Sequence, residues 1–125
     1  MKIINIVISV LLITIGYTAI SQNTNYYFSK EVDENYQAVI RNIKVEAKKH
    51  GFGVLNEGKM HKTLSEKLEG VEMDPYVVLD LCNPNYAWKA IQAETNVGLF
   101  LPCKVLVKYK SEESTEVIFV KPHVT

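Results

Sequence analysis

Between Glu31 and Gly51 the apolar residues Tyr36, Val39, Ile40, Ile43 and Ala47 return at helical spacing, while Arg41, Asn42, Lys44, Glu46 and Lys48 fill the intervening positions. This is the signature of a helix with one face on a core and the other in water. Lys48, Lys49 and His50 suit the negative end of its dipole, and Gly51 is a stop. Before it, "YYFSK" reads as a short strand, and after it "GFGVLNE" turns into a strand carrying Phe52, Val54 and Leu55. Met60, Leu64 and Leu68 share a side of a short helix that also holds His61. The nearly unbroken apolar run "YVVLDLC" predicts a strand buried on both faces or bordering a cavity. Asn83 and Pro84 stand as N-cap and first residue of a helix running to about Glu94. Its packing side would hold Ala87, Ala90, Ile91 and Glu94, with Trp88 at the boundary. In "KVLVKYK", Val105, Val107 and Tyr109 fall on one face and Lys104, Leu106, Lys108 and Lys110 on the other. "SEEST" reverses the chain into "EVIFV", and Pro122 ends the pairing. The sum is an α+β fold, a compact antiparallel sheet with helices packed mainly on one face.

The start of the chain changes the setting. Lys2, the apolar stretch Ile3 to Ile15 and the small residues Ala19 and Ser21 before Gln22 have the form of an export signal. Residues 1–21 are thus expected to be a leader and residues 22–125 a single domain, exported to a periplasmic or extracellular space without stable membrane insertion after cleavage. An uncleaved membrane anchor is the alternative. The length accommodates one core and no second domain. A formal net charge of zero gives no electrostatic reason to expect nucleic acid as a partner.

Export also bears on the two cysteines, Cys82 and Cys103. Oxidising compartments permit a durable disulfide, which would stabilise the domain by roughly 3 kcal/mol if the geometry allows it. Two separate thiols, or a thiol-dependent function, are the other readings. Cys82 directly precedes the Asn83 cap, and a helix start acidifies a thiol only when the sulfur approaches free backbone amides.

Three short motifs, Gly51-Phe52-Gly53-Val54-Leu55, Cys82-Asn83-Pro84 and Leu101-Pro102-Cys103, occur together in this chain. In this combination the sequence resembles the bacterial domain-of-unknown-function family DUF302 over about Tyr26 to Val120. The resemblance implies a compact α+β domain that can form dimers, and it implies no reaction. One departure is Lys121 before Pro122, where the family pattern has an acidic residue.

The favoured functional reading is a small exported binding or protein-interaction module. Tyr76, Trp88 and Phe100, with Cys82 and Cys103, would border a pocket or dimer surface for a homodimer, a small ligand or a protein partner. The bland alternative is that these aromatics only fill the core. The competing reading is a thiol redox protein or enzyme, with Cys82 attacking and Cys103 resolving. Their wide separation and the lack of a local histidine base weigh against it, so an enzyme is the less favoured class. Neither a cofactor nor a metal site is expected. Met60 with His61, assisted by a cysteine, has the ligand chemistry for copper, but residues adjacent in sequence do not by that fact point at one ion. His50 suits a helix cap, and His123 follows Pro122 near the end of the chain. Glu57 and Asp80 would form an acid-base pair only if folding joined them. Lys104, Lys108 and Lys110 would serve an acidic partner or protect an edge strand from aggregation.

Overall fold

The computed structural model describes residues 26–121. The export signal, its cleavage point before Gln22, Pro122 and His123 lie outside the described residues. Five strands form one antiparallel sheet: β1 (Tyr27–Val32), β2 (Gly53–Lys59), β3 (Tyr76–Cys82), β4 (Cys103–Ser111) and β5 (Ser114–Val120), in the order β1-β5-β4-β3-β2. Three α-helices, α1 (Tyr36–Lys49), α2 (Met60–Lys67) and α3 (Pro84–Ala93), are followed by a 3-10 helix, Thr95–Phe100. The expected α+β architecture is therefore the observed one.

The helix α1 carries the predicted face. Asn35 caps it by accepting from the Ala38 amide at 2.9 Å, and Lys48 and Lys49 occupy its last turn. Gly51 leaves the helix at φ +80°, a conformation that costs glycine least. Val39 and Ile40 are buried with Val77, Leu79, Leu81 and Val107, and Tyr36, Ile43 and Ala47 pack around them. These sheet residues share one face because register pairs Val77 with Val107 and Leu79 with Val105. Thr115 is also fully buried, and its hydroxyl donates to the Glu34 carbonyl at 2.7 Å, fastening β5 to the turn before α1.

Two strand readings need correction. Although nearly continuous in apolar residues, β3 alternates: Val77, Leu79 and Leu81 are buried, while Tyr76, Val78, Asp80 and Cys82 are only half-buried. It lies between β2 and β4, and among the described residues its buried side chains all fall on the face that carries the core. Likewise β4 is an interior strand, so its lysines do not guard an edge. Lys104 and Lys108 are instead held by Asp80 at 2.6 Å and Glu116 at 2.9 Å on neighbouring strands. The expected wet face around Leu106 is present as a ladder of polar side chains, extended by Ser29 donating to Glu116 at 2.5 Å. A bulge between Val54 and Asn56 turns Leu55 out into solvent.

Candidate functional site

The C-terminal end of β3 collects the motifs singled out in the sequence. Asn83 caps α3 as expected, accepting from the Asn85 and Tyr86 amides at 3.1 and 3.3 Å, with Pro84 opening the helix. Its side-chain amide reaches the His50 carbonyl at 3.5 Å, and a methyl group built on Gly51 would meet that amide nitrogen at 3.0 Å. The end of α1, the start of β2 and the start of α3 thus meet at one polar junction. His50 is the C-cap of α1, in keeping with a capping role.

Both cysteines flank this junction, and neither is bridged. Register pairs Cys103 with Leu81, not with Cys82. Neighbouring residues of a strand face opposite ways, so Cys103 belongs to the face shared with Leu81 and Cys82 to the polar face shared with Asp80. This arrangement gives the expected disulfide no support, and the same opposition separates the two thiols as an attacking and resolving pair. On the polar face, Asp80 accepts from Lys104 and from Asn56, the latter at 3.3 Å. The Lys104 hydrogen bond is the main cause that holds its carboxyl below the usual range.

The other acid-base and metal candidates separate as well. Glu57 pairs in register with Leu79 and binds Lys44 of α1, whereas Asp80 pairs with Asn56 and points to the other face. No acid-base pair results. His61 is fastened to the start of β3: its Nδ1 accepts from the Tyr76 amide at 3.1 Å. That ring nitrogen serves to tie α2 to the sheet, and Met60 beside it is exposed. Among the described residues, no group of three or more His, Cys, Asp and Glu is placed to hold a metal ion.

The aromatic candidates do not enclose a pocket. Tyr76 sits half-buried at the start of β3, whereas Trp88 and Phe100 lie on α3 and the 3-10 helix beyond the strand's other end. A cleft of about 570 Å³ lies elsewhere, lined by Asn35, Tyr36, Gln37, Asp74, Pro75, Tyr109 and Glu112. It touches none of the predicted site residues.

What α3 and the 3-10 helix form is a protruding arm. They pack chiefly on each other, and neither contains a buried residue. Ala87 and Ala90 are half-buried as the periodicity predicts, but Ile91 and Glu94 are exposed. Trp88 is 61% exposed, Leu99 86% and Phe100 80%, with Tyr86 also in water. Among the described residues, Trp88 and Phe100 therefore do not fill the core. Leu99 went unremarked in the sequence; the signal was "TNVGLF", an uncharged run between a helix and a strand.

Fold and site together define a class: a small α+β module whose helix-covered sheet carries an apolar arm in the connection from β3 to β4. Among the described residues, no helix is long and apolar enough to cross a membrane. The DUF302 family profile, described as a domain of unknown function, matches residues 28–125. The chain belongs to the DUF302 family. It is similar to an uncharacterised conserved DUF302 protein from Bacillus stearothermophilus, known from a crystal structure, at 30% identity and a TM-score of 0.72, over 79% of this chain and 76% of that one. No curated protein matches the chain.

Proposed function

We propose that this protein is an interaction module that self-associates through the arm formed by α3 and the 3-10 helix. The observation that carries the reading is the exposure of Trp88, Leu99 and Phe100 on one short uncovered segment. Single exposed apolar residues are ordinary, but soluble monomers rarely gather large ones into a continuous patch. Stable interfaces are rich in aromatic residues and poor in charge at their centre, and Thr95–Phe100 contains no charged residue. Tyr86, Trp88, Ile91, Leu99 and Phe100 together offer an apolar area on the order of several hundred Å². That approaches the ~800 Å² per partner of a standard interface. The leader read in residues 1–21 would place this association outside the cytoplasm.

A thiol redox role draws no support from the geometry, since Cys82 and Cys103 face opposite ways. Sedimentation velocity on the mature protein across a hundredfold concentration range tests the proposal. A mass rising from monomer to dimer is expected, and a monomer throughout would overturn it.

A further inference from the structure

Among the described residues, the sheet carries a second half-exposed apolar surface, on the same side as α1 but beyond it. Register aligns Phe28 with Phe119 and Phe119 with Val105, so these three side chains form a row across β1, β5 and β4. Phe28 and Phe119 stack on each other with ring centroids 5.4 Å apart, yet they remain 49% and 44% exposed and stand outside the buried core. Cys103 belongs to the same face and is exposed beside this row. The core-facing pattern of the strands thus continues past the end of the cover that α1 supplies.

Among the described residues, one chain therefore presents an arm with no buried residue and a strip whose two phenylalanine rings stay about half exposed. The arm packs chiefly on itself rather than on the strip of its own chain. The arm carries one charge of each sign, Lys89 and Glu94, and Glu94, which leads into the 3-10 helix, is opposite in sign to Lys30 and Lys121 bordering the strip, the Lys121 amine lying 4.6 Å from the centre of the Phe28 ring. An arm-to-strip contact made twice about a two-fold axis would bury both surfaces on both copies, bringing the area into the range of a standard dimer.

We propose that the arm of each copy, led by Leu99 and Phe100, covers the Phe28–Phe119–Val105 strip of a second copy, reciprocally. The inference rests on the self-association reading and adds the surface that receives the arm.

The test is complementation between Phe100→Glu, which spoils the arm, and Phe28→Glu, which spoils the strip. Each variant alone is expected to dimerise at least tenfold more weakly than wild type. Mixed, the intact arm of the Phe28→Glu chain still finds the intact strip of the Phe100→Glu chain, so a heterodimer appears at concentrations where both pure variants are monomeric. Two monomeric variants that stay monomeric when mixed would overturn the proposal. If Phe28→Glu dimerised like wild type while Phe100→Glu did not, the arm would be pairing with another surface, which overturns this inference and leaves self-association standing. A monomeric wild type would overturn both. Circular dichroism and thermal melting establish that each variant is folded. Should Phe28→Glu fail to fold, benzoylphenylalanine at position 100 of the otherwise native chain replaces it: crosslinks to β1 or β5 peptides of the partner are expected, and crosslinks to α3 peptides would overturn the proposal.

Discussion

Replacing Thr115 with valine isolates one hydrogen bond that joins the end of the sheet to the start of α1. Thr115 is 0% exposed and its hydroxyl donates to the Glu34 carbonyl at 2.7 Å. Valine keeps the shape and removes the donor. A net hydrogen bond contributes about 1 kcal/mol, and a carbonyl left dry adds about 1–3 kcal/mol. Glu34 is itself exposed, so water reaches part of its backbone and the lower end applies. The methyl that replaces the hydroxyl recovers some of the loss, because apolar surface favours burial at up to about 0.8 kcal/mol for a group of that size. A destabilisation of about 1 kcal/mol is the expected balance, lowering Tm by about 4–8 °C in a domain of this size. Thr115→Ser keeps the bond and loses the methyl, at about 1 kcal/mol, whereas Thr115→Ala loses both, at about 2 kcal/mol. Urea unfolding of the four proteins in parallel decides the matter. A valine variant as stable as wild type would show that the bond contributes nothing net, and an alanine variant no worse than either single change would refute the separation into two terms.

The remaining predictions address the arm, the junction, the polar ladder and the thiols. Phe100→Ser leaves monomer stability within about 0.5 kcal/mol because the ring is already in water, but it weakens the dimer by about 2 kcal/mol or more per contact, or at least about thirtyfold in Kd; a large fall in Tm measured on dilute monomer would contradict this. Gly51→Ala costs about 1–2 kcal/mol in chemical denaturation, since alanine is strained at φ +80° and its methyl presses on Asn83; an unchanged midpoint would count against that junction. Asp80 and Glu116 both titrate below their ordinary values, chiefly through the hydrogen bonds from Lys104 and from Ser29 respectively, so the unfolded chain takes up their protons first as acid is added. Their contribution is complete above the usual carboxylate range and fades as pH falls through the lowered folded values. Lys104→Met should accordingly lower Tm near neutrality by an amount equivalent to about 0.2–1 kcal/mol and flatten its decline in acid; an identical acid slope in wild type and variant would argue against the pairing. Iodoacetamide should label both cysteines of dilute protein without reductant, Cys103 faster than half-buried Cys82; labelling that required reduction would restore the disulfide.

The sequence by itself determined every element whose pattern is set by its own neighbours. The 3.6-residue recurrence from Tyr36 to Ala47 specifies α1 because those side chains share a face only in a helix. Asn83 and Pro84 specify the start of α3 through backbone groups a few residues away. The alternation of Val105, Val107 and Tyr109 marked the covered face of β4 for the same local reason. Tertiary structure alone decided what depends on pairing partners distant in the chain. Whether Cys82 meets Cys103 depends on a one-residue register between β3 and β4, and one residue reverses the face. Glu57 and Asp80 were divided in the same way. Local periodicity could state that Ala87, Ala90 and Ile91 form an apolar side of α3, but not whether a surface lies against it. Burial is a relation between two elements, and only the folded chain shows that, among the described residues, the arm buries none of its side chains.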